Sequence, residues 1–214
     1  MKKKIAIVIF AVIILSMTLV ACGNDGDVPK GMKVASDKSN GFYTMYVPEN
    51  WLVIETGSNV TLAQAQEKEL NTNKLAAVTV NSMFWQMDAE TVKKTVDEKY
   101  SSFFATYNEQ IKDTFGESNF HPQGEPVSSS YYEGAQQYTY IARKDNIYYE
   151  YIVTIIVHNQ MYYAITFTFP QSNLVVDKDG NLTPTESYDK ADFDYIKNYN
   201  DAVSDIVSNF KPLK

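Results

Sequence analysis

The chain has 214 residues, with 19 basic and 26 acidic side chains and a formal net charge of −7. This acidic balance lacks the basic surface that binds nucleic acid, which is therefore excluded as an expected partner. Cys22 is the only cysteine, so a disulfide within the chain is excluded as well. Aromatic residues make up 14% of the chain, with 16 tyrosines, and this favours a sheet-rich domain.

The N-terminal segment has the parts of a bacterial secretory signal. Three lysines follow Met1, an apolar run extends from Ile5 to Val20, and the small residue Ala21 precedes Cys22. A transmembrane anchor is the alternative, but the 17 residues from Ile5 to Ala21 fall short of the roughly 20 that span a bilayer. Secretory apolar regions are shorter still, about 7–15 residues, so length alone does not decide. The position of the cysteine favours a signal.

The tetrapeptide Leu19-Val20-Ala21-Cys22 resembles the lipobox of diacylglyceryl-modified bacterial lipoproteins. The resemblance implies that residues 1–21 are a signal peptide and that the Cys22 sulfur carries a diacylglycerol with two acyl chains such as palmitate. Cleavage leaves 16 basic and 26 acidic residues, a charge of −10, which anionic headgroups repel. We therefore expect the lipid to hold the protein on the outer, extracytoplasmic face of the cell membrane.

Residues 22–40 are predicted to be the lipidated N-terminus and a flexible tether, because they are polar and contain three glycines. Residues 41–214 are predicted to form a single domain. Its first strand ends at Pro48, a second begins at Trp51, and strand character resumes from Leu75 to Phe84. The polar stretch between the last two is predicted to hold at most a turn or two of helix, around residues 62–70.

Apolar residues recur every three or four positions after Asp88, a predicted helix N-cap. They predict one amphipathic helix of about 27 residues that ends at Gly116. A second amphipathic helix is predicted near Ser187–Phe210. The apolar positions are Val92, Val96, Tyr100, Phe103, Tyr107, Ile111 and Phe115 in the first helix, and Phe193, Ile196, Tyr199, Val203, Ile206 and Phe210 in the second.

The segment 135–169 carries the strongest strand signal. It predicts an antiparallel meander of three strands, with a tight turn at His158-Asn159-Gln160. The middle strand, 147–157, is apolar on both alternating sets except for Glu150 and Thr154, which indicates a central strand covered on both faces. A turn or small hairpin is predicted around Asp179-Gly180. The predicted class is α+β, with long amphipathic helices packed on both faces of a central antiparallel sheet.

Two motifs at the ends of the domain resemble the PsbP-like family, which is named for an extrinsic protein of photosystem II and includes bacterial lipoproteins. The first is Gly41-Phe42, Tyr46, Pro48 and Trp51, and the second is Ile206-Val207-Ser208-Asn209-Phe210. The resemblance implies an α/β/α sandwich and a non-enzymatic binding or assembly role. No metal-associated position of the photosynthetic members is matched, so no site residue is implied.

The sequence offers little material for catalysis or metal binding. His121 and His158 are predicted to be solvated loop residues, and no nucleophile elbow, phosphate-binding loop or dinucleotide fingerprint is present. Asp177-Lys178-Asp179-Gly180-Asn181 departs from the EF-hand spacing, so weak calcium binding is left as a minor alternative to a plain turn. We expect no catalytic residue, no resident metal and no cofactor.

Nine tyrosines lie between Tyr131 and Tyr163, and they allow two interpretations. An exposed aromatic row could bind a glycan or a peptide. The favoured interpretation is cross-strand pairing with hydroxyls that reach solvent, because neighbours such as Tyr148 and Tyr149 must point to opposite faces.

The sequence therefore predicts a lipid-anchored, non-catalytic binding or assembly module with an unidentified protein partner in the cell envelope. A carrier or sensor of small ligands or glycans is the alternative, and a cell-envelope hydrolase is a weaker one.

Overall fold

The structure, a computed structural model, describes residues 28–56, 60–65, 76–84, 89–98, 100–144, 147–171, 174–176, 182–184 and 190–213. These residues form thirteen strands and three α-helices, of which the longest has 19 residues. The predicted α+β class, an α/β/α sandwich with long amphipathic helices, is wrong, because the described chain is mostly antiparallel β-sheet. The difference arises where a predicted tether and a predicted helical turn are strands, and where one predicted helix is broken.

The chain enters the fold through a three-stranded sheet. Its order is β1 (Met32–Ser36), β2 (Tyr43–Pro48) and β13 (Lys211–Pro212), with β2 in the middle. Met32 and Ala35 are each only 6% exposed, so β1 is part of the packed domain. The predicted tether, residues 22–40, is therefore wrong from Met32 onward. This strand is short and contains few apolar residues. Glycines and charged residues surround it, so its sequence pattern does not indicate a strand.

Eight further strands form a large antiparallel sheet. They are β3 (Trp51–Thr56), β4 (Val60–Ala65), β5 (Ala77–Phe84), β6 (Phe120–Pro122), β7 (Val127–Ser128), β8 (Gln136–Lys144), β9 (Ile147–His158) and β10 (Met161–Gln171). Their order is β3-β4-β5-β10-β9-β8-β6, and β7 also pairs with β8. The helical turns predicted around residues 62–70 are wrong as far as Ala65, because β4 pairs with β3 and β5 there.

The predicted meander is confirmed in β8, β9 and β10, which pair consecutively and antiparallel. Asn159 and Gln160 have positive φ values of 47° and 63°, as a two-residue hairpin turn requires. β9 lies inside the sheet, and its residues 152–156 are all buried, as predicted for a strand covered on both faces. A separate hairpin of β11 (Leu174–Val176) and β12 (Leu182–Pro184) flanks the predicted Asp179-Gly180 turn, which lies outside the described residues.

The first predicted helix is in fact two helices, α1 (Ala89–Asp97) and α2 (Ser101–Phe115). Tyr100 separates them with a left-handed backbone, φ 56° and ψ 25°, and its side chain is only 1% exposed. A left-handed backbone is unfavourable for tyrosine, and burial of the Tyr100 ring compensates for this cost. Gly116 ends α2 with φ 83°, as predicted. The last predicted helix is present as α3 (Lys190–Ser208).

Two hydrophobic cores lie on opposite faces of the large sheet. The α2 core comprises Tyr100, Phe104, Ile111, Phe120, Tyr138, Tyr140, Ala142, Val153 and Ile155. The α3 core lies between the large sheet, the small sheet and α3, and it includes Tyr43, Met45, Val80, Tyr163, Ile165, Phe167, Phe169, Tyr199, Ile206 and Phe210. Adjacent residues of β9 and β10 therefore pack into different cores.

The two motifs on which the PsbP-like resemblance rests belong to one packing unit. Phe210 stacks on Tyr43 with ring centroids 5.2 Å apart, and Tyr163 contacts both rings. The Tyr163 hydroxyl donates to the Phe42 carbonyl at 3.0 Å. These contacts join the two ends of the domain through Tyr43, which lies between the residues of the first motif. Membership of the PsbP-like family stays a prediction.

Candidate functional site

Two of the residues or segments singled out by sequence lie outside the described residues. They are Cys22, the predicted lipidation site, and the loop 177–181, for which weak calcium binding was an alternative. Within the described ranges, no helix is both long enough and apolar enough to cross a bilayer. The same ranges contain no group of three or more histidine, cysteine, aspartate or glutamate side chains placed to hold a metal ion.

The nine tyrosines between Tyr131 and Tyr163 are distributed over both faces of the sheet. Four of them, Tyr138, Tyr140, Tyr148 and Tyr163, are buried, and the other five are half-buried. Tyr131 and Tyr132 pack against the α3 core, whereas Tyr138 and Tyr140 belong to the α2 core. The tyrosines therefore do not form the single exposed row that glycan binding would need.

Cross-strand pairing is strongest between Tyr140 and Tyr151, which lie directly opposite each other on β8 and β9. Their rings stack with centroids 4.7 Å apart and planes inclined by 6°. The Tyr140 hydroxyl bonds to that of Tyr107 on α2. Burial raises the pKa of Tyr140 far above its ordinary value, and burial followed by the nearby Tyr149 and Tyr107 raises the pKa of Tyr151 to about 12. The expectation that these hydroxyls reach solvent is therefore wrong for Tyr140.

Among the described residues, Glu150 is a carboxylate in apolar surroundings that do not stabilise its negative charge. It lies on β9 opposite Ile141 of β8 and Phe169 of β10, on the face of the α3 core. Phe169 in turn stacks on Tyr199 of α3 with centroids 4.6 Å apart. Burial raises the pKa of the half-buried Glu150 carboxyl. The described residues offer it no ion pair, so its charge is poorly compensated.

His121 lies two strands away from Glu150, at the edge of the sheet, and is not the solvated loop residue that was predicted. It belongs to β6, its ring centroid is 6.0 Å from that of Tyr148, and its Nε2 is buried without a hydrogen bond among the described residues. Burial lowers its pKa, although a backbone hydrogen bond with Ser118 opposes this shift. The Tyr148 ring, which His121 contacts, also lies 5.8 Å from the Arg143 guanidinium.

These groups do not form a catalytic pair. His121 and Glu150 both align with Ile141, so they are separated by two strand spacings, about 10 Å. No hydrogen bond joins their side chains among the described residues, and the His121 Nε2 has no partner there. His158 is exposed at the far end of β9, eight residues or about 26 Å along the strand from Glu150, so the two histidines do not share a site.

A second candidate is the part of the large sheet beside the α2 core, which we call the open face. Its side chains share the face that α2 covers at β8 and β9, but they are only half-buried or exposed. They are Leu62, Thr79, Asn81, Met83, Thr166 and Thr168. These six side chains are uncharged, and Met83 is 53% exposed, while the exposed Glu55 of β3 lies opposite Leu62 at the edge of the open face. Sequence reasoning missed it because β4 was not predicted and the threonines of β5 and β10 have no distinctive spacing.

Comparison with known proteins identifies no family. No family model matches the chain, and no curated protein sequence matches it. A crystal structure of a Pseudomonas aeruginosa protein of unknown function is similar, with a TM-score of 0.42 and 11% identity over 81% of this chain and 94% of that one. A likeness of this strength carries no argument about fold or function.

Proposed function

We propose that this chain is an extracytoplasmic lipoprotein, anchored to the outer face of the cell membrane through a diacylglycerol on Cys22, and that its domain is a non-catalytic binding or assembly module. The observation that carries the proposal is the position of the only cysteine, directly after Leu19-Val20-Ala21 and a positively charged, apolar leader. Two acyl chains give stable anchoring, which a single chain does not.

Two features of the described residues support a binding role: the separation of the ionisable groups and the open face. The ionisable groups near β6 and β9 are about 10 Å apart and do not form a nucleophile–base pair, whereas the six side chains of the open face are uncharged. A partner that packs on these six side chains, and stops short of Glu55 at the edge, buries no charge of this chain. A small-ligand or glycan carrier is the second candidate, but the buried and half-buried tyrosines give it little support.

Processing of the precursor tests the anchor. We expect Cys22→Ala to accumulate as a larger precursor that retains residues 1–21, because the signal is then not cleaved. Globomycin should have the same effect on the natural chain. Ala21→Gly is the matched control, since it keeps a small residue before the cysteine and should leave processing intact. Normal mature size in the Cys22→Ala variant would contradict the proposal.

Crosslinking in intact cells tests the binding role. Asn81 is exposed on the open face, so Asn81→Arg should place an uncompensated charge in any interface there and abolish a specific crosslink. Asn50→Arg, at an exposed turn next to β3, is the control and should keep the crosslink. A crosslink that survives Asn81→Arg places the partner elsewhere, and absence of any crosslink in the natural protein contradicts an assembly role.

A further inference from the structure

The described residues show how the chain enters the domain. Pro29 accepts a hydrogen bond from the Met32 N–H at 3.0 Å, and the Glu49 N–H donates to the Gly31 carbonyl at 3.1 Å. Gly31 has a φ of 78°, so this entry turn is a defined structure. The segment between Cys22 and Pro29 is therefore the longest that could act as a tether.

This segment is short compared with the domain. Seven residue steps reach at most about 23–25 Å when fully extended, and a flexible chain of that length has an end-to-end distance of about 13–16 Å. The sequence alone predicted a tether of about 18 residues. The entry turn and the packed strand β1 together remove more than half of that length.

The entry turn lies beside the start of β3, on the side of the large sheet opposite the His158 turn. The turn Glu49-Asn50 joins β2 to β3, and Trp51 pairs with Ala65 of β4. The neighbouring row, which runs from Leu52 through Gln64, Ala77 and Thr168, aligns with Tyr151 of β9. From Tyr151, β9 continues for seven residues, about 23 Å, to the exposed His158 at the opposite end.

We infer that the membrane-facing surface of the domain is the end formed by the entry turn and the Glu49-Asn50 turn, and that the His158 end points away from the lipid. This inference rests on the proposed lipidation of Cys22. The surface presents Lys30, Glu49 and Asn50, which are exposed and polar, so it lies against the headgroups without inserting into them. The open face then runs along the side of the domain, where a partner in the envelope reaches it.

Energy transfer to the membrane tests this orientation. Because acylation occupies Cys22, a fluorophore attaches only to the cysteine introduced by Asn50→Cys or His158→Cys, both at exposed positions. The processed, full-length variants are reconstituted into phosphatidylglycerol–phosphatidylethanolamine vesicles that carry acceptor-labelled headgroups. We expect transfer at least about twofold faster from residue 50 than from residue 158, given the short tether. Equal transfer, or faster transfer from residue 158, overturns the inference.

Two measurements separate this inference from the proposed function. Mass spectrometry of the same samples reports whether Cys22 carries the lipid. Without the lipid both proposals fail, whereas a lipidated protein with equal transfer contradicts the orientation alone. Insertion of twenty glycine and serine residues after Asp27 should reduce the difference between the labels, because the tether then averages about 26–31 Å. An unchanged difference would show that the tether does not set the orientation, and would overturn the inference.

Discussion

Glu150 shows how the position of one side chain in a sheet sets its chemistry. Alternation along β9 directs it toward the α3 core, where Ile141 and Phe169 are its cross-strand neighbours. An ionised carboxylate is costly there, since Glu150 forms no ion pair among the described residues and burial raises its pKa. The charged form of Glu150 is therefore expected to reduce the stability of the folded domain.

Replacement of Glu150 by glutamine should stabilise the domain at neutral pH. The pKa of Glu150 is higher in the folded than in the unfolded state, so the folded state binds the proton more tightly. The favourable contribution of the protonated group is complete below the unfolded pKa, about 4.3, and is lost as pH rises through the folded pKa. Chemical denaturation at pH 4 and pH 8 should therefore show an advantage of Glu150→Gln only at pH 8.

Glu133→Gln is the matched control for this experiment, because Glu133 is exposed before β8. Its stability should follow that of the natural protein at both pH values. A Glu150→Gln variant with no gain in the free energy of unfolding at pH 8, or with the same gain at both pH values, would show that burial of the Glu150 carboxylate does not destabilise the domain.

The break between α1 and α2 is the clearest case in which an element differs from its sequence pattern. Apolar spacing of three and four residues continues through the break, because Tyr100 and Phe104 pack into the same α2 core. The Tyr100 N–H bonds to the Thr95 carbonyl at 2.9 Å, and the left-handed Tyr100 then starts α2. Periodicity reports which residues are buried, but it does not report a single residue that leaves the helical conformation.

The Tyr100 ring is expected to stabilise this break. Tyr100→Ala keeps the left-handed position but loses a side chain that is 1% exposed, so we expect a loss of about 3–5 kcal/mol in the free energy of unfolding. Tyr100→Phe retains the ring and should stay within about 0.5 kcal/mol of the natural protein. Urea denaturation of the three proteins measures both values. A loss below about 1 kcal/mol for Tyr100→Ala would contradict this role.

Elements could be predicted from sequence where the apolar pattern is long. The meander of β8, β9 and β10, the turn at Asn159 and the helix end at Gly116 follow from alternation and turn chemistry. The strands β1 and β4 could not be predicted, because short segments with few apolar residues resemble a linker or a turn. Their pairing comes from tertiary contacts, such as the Tyr43 hydroxyl bonded to the Thr61 Oγ1 at 2.8 Å in the interior.

The candidate sites were predictable to different degrees. Glu150 is visible in the sequence as a charge within an apolar strand, and the structure adds that it has no partner among the described residues. The open face could not be predicted, because it depends on which strands are neighbours and on where α2 ends. The nine tyrosines suggested a binding row, but alternate residues on a strand point to opposite faces, and two cores take up most of them.

At the scale of the whole molecule, the domain is asymmetric in two directions. Across the large sheet, an aromatic core under α2 lies beside the open face, and the α3 core fills the other side. Along the strands, the entry turn lies at one end and the His158 turn at the other. With the lipid that we propose on Cys22, this asymmetry would determine which end of the domain faces the membrane.

The central claim is that this domain is held at the membrane by a lipid on Cys22, and the mass of its N-terminal peptide tests the claim most directly. Protein extracted from the membrane fraction with detergent is digested, and the N-terminal peptide is analysed by mass spectrometry. The account predicts a peptide that begins at Cys22 and carries the mass of a diacylglycerol on its sulfur. A peptide that begins at Met1, or one that begins at Cys22 with a free thiol, would contradict it.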